Sequence, residues 1–333
     1  MPATIRDVAA AARVSPATVS RVLNGKVEVA EELRDRVHAA VTRLGYRPNG
    51  LARGLRTRAT TVLGVVISDI TNPFFPLMVR GVEDFAQSSG YSVVLANTDE
   101  DLVKERRYLE VAAAERMAGV ILSPASSRRT DVSVLTRHGI PLVAVDRELP
   151  GADVDGVFIN NHAAAREATE HLAAQGCRRI ALIAGPSATS TGERRLAGYR
   201  AGLRASGLPS DPELVRRADF RVGGGYQATL DLLATRERPD GLLVSNNLMA
   251  LGALQALQEQ GVDVPRGIAF ASFDGISWAR TLRPTLTVVE QPTYEIGRRA
   301  AELLLARVGG DRGPARKVVL PAELKIGQSS SRR

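Results

Sequence analysis

Apolar positions near the start of the chain recur with helical spacing. Ile5, Val8, Ala9 and Ala12 fall at i, i+3, i+4 and i+7, which predicts a short helix. Thr4 stands where it can cap that helix, with Asp7 in its first turn. Arg13-Val14-Ser15 breaks the pattern. Ser15 as N-cap and Pro16 at the first helical position then open a second helix, running to about Asn24 with Gly25 as its stop. Its inner face is Val19, Val22 and Leu23. Its outer face is Ala17, Ser20, Arg21 and Asn24, which are small, polar or cationic. A third helix is predicted over 31–44, with a stripe of Leu33, Val37, Ala40, Val41 and Leu44 and an end at Gly45. Ala30 leaves it without a capping side chain, at a cost of ~1 kcal/mol.

From residue 62 the pattern changes to short apolar runs alternating with amphipathic stretches. Strands are predicted at 62–68, 92–96, 119–122, 142–145 and 156–159, with helices near 75–89, 102–116 and 128–138. A second series has strands at 179–184, 213–217, 241–245 and 269–273, with helices near 162–175, 195–206, 225–236 and 248–260. Short buried strands separated by helices indicate parallel sheets, and two such series suggest two doubly wound lobes. Such sheets bind ligands at the carboxyl ends of their strands. There the polar residues interrupt the apolar runs. Asp69 and Asn72-Pro-Phe-Phe75 follow the first strand, and Asp146-Arg147 the fourth. Arg195 begins a helix, Phe220 follows a strand, and Asn246 and Asp274 end two more. Each residue alone reads equally as a turn or cap. As a set they could hold vicinal hydroxyls, with aromatic faces stacking on a sugar-like ligand.

Charge sharpens the picture. The 333 residues are 44% apolar and 24% charged, an ordinary globular composition. The net charge is +8, of which +6 lies in residues 1–60 and only +2 in the rest. A basic head on a nearly neutral body implies a polyanionic partner for the head. Two short helices around a tight turn, closed by a third, make a helix-turn-helix arrangement whose second helix suits a major groove. A small three-helix cap with a solvated charged face is the other reading. The lone Cys177 allows no internal disulfide and points to a reducing compartment. No run approaches a membrane span, and Arg6 and Asp7 interrupt any secretory leader, so a cytoplasmic protein with no membrane partner is expected.

Three spaced motifs narrow this further. Thr4-Ile-Arg-Asp-Val-Ala, Val14-Ser-Pro-Ala-Thr-Val-Ser-Arg-Val-Leu-Asn-Gly25 and Leu44-Gly-Tyr-Arg-Pro-Asn49 resemble the DNA-binding head of the LacI/GalR family of bacterial transcription regulators. The resemblance covers roughly 4–327. It implies a helix-turn-helix head over 1–47, a hinge helix over 48–61 and a periplasmic-binding-protein-like body over 62–333. In that body, lobe one is about 62–160 and 291–320, and lobe two about 161–290 and 321–328. It implies that Pro16, Ala17 and Arg21 read operator bases. Thr4, Ser15, Thr18, Ser20, Asn24 and Tyr46 would position the head on phosphates. In the hinge, Leu55 would wedge into the minor groove, flanked by Asn49, Arg53 and Arg56. Gly54 stands where many members carry another residue, which predicts a reluctant hinge helix. Arg13 departs from the Gly or Asn usual between the two reading helices. The implied effector set is Asp69, Phe74, Phe75, Asp146, Arg147, Arg195, Phe220, Asn246 and Asp274. Asn247 replaces an Asp common beside Asn246. A homodimer on a palindromic operator, switched by a sugar-like effector and commonly repressing, is the implied assembly.

Catalytic readings find little support. The four histidines lack metal-ligand spacing, and Gly223-Gly-Gly225 lacks the spacing of a nucleotide fingerprint. Neither a nucleophile elbow nor a phosphate loop occurs, so neither catalysis nor a cofactor is expected. A solute-binding protein would share the cleft but not the basic head. The final Ser329-Ser-Ser-Arg-Arg333 is expected to be disordered.

Overall fold

The computed structural model describes residues 3–23, 29–46, 60–275 and 283–332, and the chain falls into two units, Met1–Thr60 and Thr61–Arg333. In the first unit the described helices are α1 (Ile5–Ala12), α2 (Pro16–Leu23) and α3 (Glu31–Leu44). Thr4 and Asp7 start α1 with a reciprocal capping box. The Thr4 N–H and hydroxyl donate to the Asp7 carboxylate at 2.8 and 2.7 Å, while the Asp7 N–H returns to Thr4 Oγ1. Hydrogen bonds from Thr4 hold the Asp7 carboxyl below its ordinary range. Arg13 closes α1 in the left-handed region, at φ 53 and ψ 49. That conformation costs a non-glycine residue ~1 kcal/mol. Arg36 of α3 braces it, its Nη2 donating to the carbonyls of Ala12 and Arg13 at 2.5 and 3.2 Å. Ser15 Oγ accepts the Thr18 N–H at 3.1 Å and so caps α2. No side chain caps α3 at Ala30, and Gly45 ends it in the left-handed region. Val8, Ala9, Val19, Val22, Val37 and Ala40 are among the residues of a small core of its own. Asn24, Asn49, Arg53, Gly54, Leu55 and Arg56 lie outside the described residues.

The second unit holds two six-stranded sheets. The first comprises β1 (Val62–Ile67), β2 (Ser92–Asn97), β3 (Gly119–Leu122), β4 (Leu142–Val145), β5 (Asp155–Ile159) and β11 (Lys317–Leu320), in the order β11-β5-β4-β3-β1-β2. All of its pairings are parallel, with Val65 opposite both Leu95 and Ile121. The second comprises β6 (Ile180–Ala184), β7 (Val215–Arg217), β8 (Gly241–Val244), β9 (Ala269–Phe273), β10 (Thr287–Glu290) and β12 (Glu323–Lys325), in the order β12-β10-β9-β8-β6-β7. Only β12 is antiparallel within it.

Helices α4 (Phe74–Ser88), α5 (Leu102–Ala114), α6 (Ser133–Arg137) and α11 (Thr293–Val308) cover the first sheet. Helices α7 (Asn161–Ala174), α8 (Ser190–Ala205), α9 (Val222–Leu233) and α10 (Asn247–Glu259) cover the second. Covered on both faces, the inner strands are buried from end to end, which is why they read as unbroken apolar runs. The chain passes between the lobes after β5, after β10 and after β11. Buried Asp155 fastens the return to lobe one. Its carboxylate accepts two bonds from Arg307 at 2.8 Å, and the Arg316 N–H and Nη2 at 2.7 and 3.1 Å.

Three expectations are corrected. The helix expected near 128–138 is only Ser133–Arg137. Residues 123–130 instead form a loop pinned by Glu105, which accepts the Ala125 N–H at 2.6 Å and the Thr130 hydroxyl at 2.7 Å. Arg195 does not begin its helix. Thr189 caps α8 and the helix starts at Ser190, so Arg195 lies in its second turn. The C-terminal serines are ordered against lobe two. Ser329 and Ser330 are buried, and Ser329 Oγ donates to the Phe270 carbonyl at 2.7 Å. Ser330 Oγ bonds Thr287 Oγ1 at 2.6 Å and His171 Nε2 at 2.8 Å. Composition alone marks such a segment as a tail; backbone and hydroxyl partners 40 to 160 residues away fix it here.

Candidate functional site

A cleft opens where the carboxyl ends of both sheets face each other. It is lined by all nine residues of the implied effector set, together with Asn72, Glu100, Thr191 and Asp219. Lobe one supplies the turn after β1. There Asp69 accepts the Thr71 N–H and hydroxyl, and Asn72 accepts the Phe74 N–H at 3.0 Å, launching α4. Phe74 and Phe75 meet edge to face, centroids 5.2 Å apart. Asp146 and Arg147 follow β4, and the Arg147 guanidinium lies 5.5 Å from the centre of the Phe220 ring. Lobe two supplies Arg195, Phe220, Asn246 and Asp274. Phe220 reaches the cleft because position 185 is glycine; a Cβ there would stand 2.1 Å from its ring.

Four lining residues hold positive φ without being glycine: Glu100 (63°), Asp146 (63°), Phe220 (64°) and Asp274 (66°). Left-handed backbone at non-glycine positions persists only where surroundings over-determine it, and it concentrates at functional sites. Buried polar bonds do that here. Arg195 Nε donates to Asn161 Oδ1 at 2.7 Å and its Nη1 to the Ser245 carbonyl at 2.5 Å. Its guanidinium sits 4.1 Å from the Phe273 ring centre and 3.8 Å from Asp274. Asn246 Oδ1 accepts the Met249 N–H, while its Nδ2 donates to the Phe220 carbonyl at 2.9 Å. Gln291 Nε2 donates to Asp274 Oδ1 at 2.5 Å.

Burial governs the charges. It pushes the Asp146 carboxyl up to about 6, against Arg147 and Arg195, with Asp274 and Glu100 adding to the rise. Burial likewise raises Asp274, opposed by Arg195 and the bond from Gln291. It lowers the Arg195 guanidinium, whose nearby carboxylates only partly offset the effect. Two carboxylates of raised pKa would gain from hydroxyl donors, because a ligand O–H stabilises the charged form.

The lobes also touch directly. Asn247 Nδ2 donates to Asn72 Oδ1 at 3.0 Å, so the unusual Asn247 bridges the cleft. Ser127 N–H donates to the Ala188 carbonyl at 2.9 Å, and Ser190 N–H to Ser127 Oγ at 2.9 Å. Of the residues the sequence did not single out, Glu100 and Asp219 follow strands in the same way as Asp69. The strand-end rule would have found them. Gln291 follows β10, a strand the sequence did not reveal, and Thr191 in the first turn of α8 carries no such mark.

In the head, Pro16, Ala17 and Arg21 are exposed, the last two one helical turn apart on α2. Ser15 Oγ and Thr18 Oγ1 lie 2.9 Å apart at the amino end of that helix. Ser20 is half-buried, and Thr4 is exposed with its hydroxyl on Asp7. Tyr46 packs against the head's own core. Among the described residues there is no cluster of metal-ligating side chains, and no helix long and apolar enough to cross a membrane.

Residues 4–49 match the model of bacterial regulatory proteins of the lacI family, and residues 169–330 that of a periplasmic binding protein-like domain. The ribose operon repressor of Halalkalibacterium halodurans is 38% identical over 327 residues, covering 98% of this chain and 97% of its own. A structure of the Lac repressor dimer bound to operator and the anti-inducer ONPF superposes with a TM-score of 0.88, at 27% identity and 99% coverage of both chains. The transcriptional regulator CelR in complex with cellobiose superposes at 0.76, with 33% identity, over 98% of this chain and 99% of that one. A helix-turn-helix reader joined to a two-lobed binding body defines a ligand-responsive DNA-binding regulator. The chain belongs to the LacI family of bacterial transcriptional regulators.

Proposed function

We propose that this regulator is a repressor that binds a palindromic operator as a homodimer and is switched by an uncharged sugar, D-ribose, held between its lobes. One observation carries the reading: a single cleft gathers two carboxylates of raised pKa, two guanidiniums, several side-chain amides and three phenyl rings. Hydroxyls can donate to the carboxylates and accept from the amides, while the rings cover the apolar face of a small furanose or pyranose. The name of the ribose operon repressor of H. halodurans supports the choice of sugar.

In this reading Asp69, Phe74, Phe75, Asp146, Arg147, Arg195, Phe220, Asn246 and Asp274 contact the effector, with Asn72 and Gln291 joining them. Pro16, Ala17 and Arg21 read bases. Thr4, Ser15, Thr18, Ser20, Asn24 and Tyr46 set register on phosphates. A hinge over 48–61 inserts Leu55 between base steps, with Asn49, Arg53 and Arg56 beside it. The operator dimer described for the Lac repressor supports the assembly, since a two-fold protein matches a two-fold site. The protein acts in the cytoplasm and without catalysis; every group in the cleft is accounted for by binding.

Effector and operator then share a coupling free energy. Titration of a palindromic duplex with and without D-ribose tests it. Operator affinity should change with the sugar, and Asp274→Ala should abolish that change while still binding operator. An unaltered dose response in that variant removes Asp274 from the site, and a wild-type protein indifferent to D-ribose removes the sugar.

A further inference from the structure

The cleft is acidic despite its two arginines. Its lining carries five carboxylates, Asp69, Glu100, Asp146, Asp219 and Asp274, against Arg147 and Arg195. A phosphate or carboxylate on a ligand is held best by a guanidinium that offers two parallel N–H donors. Both arginines already face acceptors of the protein, Asp146 lying 3.5 Å from Arg147 and Asp274 3.8 Å from Arg195. Arg195 has already committed Nε to Asn161 and Nη1 to the Ser245 carbonyl. Arg147 is engaged more completely. Its Nη1 donates to Glu100 Oε2 at 2.6 Å and to the Pro124 carbonyl at 3.0 Å, and its Nη2 donates to Glu100 Oε1 at 2.5 Å. Its buried Nε makes no hydrogen bond, but it faces the Asp146 carboxylate at 3.5 Å, so the second edge of the guanidinium is also flanked by a carboxylate.

The corner that presents Glu100 is held from several sides. Asp99 and Glu100 are consecutive left-handed residues, at φ 54 and 63. Asn97 Nδ2 donates to Asp99 Oδ1 at 2.9 Å, Lys104 pairs with Asp99, and Arg221 of lobe two donates to the Asp99 carbonyl at 3.2 Å. Two strained residues in succession are not needed merely to end β2. Together with these bonds they aim one carboxylate at the fork of Arg147.

We propose that Glu100 is a positioning and specificity-determining residue: by filling the fork of Arg147 it excludes phosphorylated and carboxylated sugars and reserves the cleft for uncharged ones. A neutral hydroxyl still finds acceptors in the carboxylates and a donor in Arg147 Nε. A dianionic phosphate meets Glu100 across one edge of Arg147 and the Asp146 carboxylate beside the other. This rests on the reading of the cleft as a sugar site and adds which sugars it refuses.

Calorimetric titration of the full chain with D-ribose, D-ribose 5-phosphate and inorganic phosphate tests it. Wild-type protein should prefer D-ribose over its phosphate by ~100-fold or more, since like-charge juxtaposition costs several kcal/mol. Glu100→Gln keeps the size and removes the charge. It should gain affinity for inorganic phosphate by roughly tenfold and narrow the sugar preference to match. Glu100→Asp retains the charge and should stay selective. Adding Arg147→Met to Glu100→Gln should erase the gain, which a merely structural role for Glu100 would not produce. A Gln variant that gains no phosphate binding overturns the proposal. So does a wild-type protein that takes the phosphate as tightly as the sugar, or an Asp variant that gains it. If D-ribose fails to bind but Glu100→Gln gains phosphate, the choice of sugar falls and the role of Glu100 stands.

Discussion

The head and the body carry their recognition chemistry in opposite places. On α2 the side chains proposed to read bases, Pro16, Ala17 and Arg21, are exposed. They are held by bonds that span three residues, such as Ser15 to Thr18. In the body most of the side chains proposed to hold the effector are buried. Arg195 is 2% exposed, and its partners Asn161 and Ser245 come from α7 and the end of β8. An exposed reader can be changed without touching the core beneath it. A buried reader is also a strut, so its removal strands charges that have no water to turn to. Recognition and stability should therefore separate in the head and coincide in the body.

The strongest way to break this contrast is Arg195→Ala. It leaves Asp274 without its buried cation and Asp146 with Arg147 alone, and should cost the body ~3–5 kcal/mol in urea unfolding, along with effector binding. A variant that loses binding but keeps its stability would show that the body, too, separates the two. The matching change in the head, Arg21→Ala, should weaken operator binding by ~1–3 kcal/mol and relax preference at one base position, with unfolding unchanged. Equal losses on operator and random duplex would remove Arg21 from base reading.

Acid titration offers a smaller effect confined to the body. Burial pushes the Asp155 carboxyl up, but hydrogen bonds from Arg307 and Arg316 outweigh it and hold the group at about 2, below the ordinary 3.8. A depressed carboxyl contributes stability above its unfolded value and loses it as pH falls through the folded value. About 2 kcal/mol should thus fade between pH 4 and pH 2, and Asp155→Asn should flatten that part of the curve. Equal slopes in the two proteins would mean the staple contributes nothing. Smallest is Thr4→Ala, which opens the capping box and should lower head stability by ~1 kcal/mol while the body melts as before. A body transition that moved with it would contradict the independence of the two units.

Legibility followed the same divide. Caps, turn and core of the head are local, so Thr4, Ser15, Gly45 and the stripe through Val37 and Ala40 could be read from spacing. Most inner strands were equally open, because burial on both faces writes itself as an apolar run; β10, inner but with Val288 and Glu290 only half-buried, was missed. Edge strands were harder. β11 and β12 alternate partly buried and exposed positions, and neither stood out from its surroundings. The start of α8 was misplaced because residues 185–194 contain glycine, serine and threonine that suit a loop, yet Thr189 uses that chemistry to cap a helix. The serines at 329 and 330 looked like a solvated tail because nothing nearby in sequence announces Thr287, Phe270 or His171 as partners.

By itself the sequence determined the basic reading head, the two crossover series and the strand ends where a ligand would be met. Each follows from interactions between near neighbours or from the period of burial. Only the tertiary structure decided that the strand ends converge on one cleft, that Asn247 spans it to Asn72, and that Glu100 takes the fork of Arg147. Those outcomes depend on which distant groups are desolvated together. No local pattern encodes the pairing of a buried guanidinium and a half-buried carboxylate brought face to face by separate crossovers.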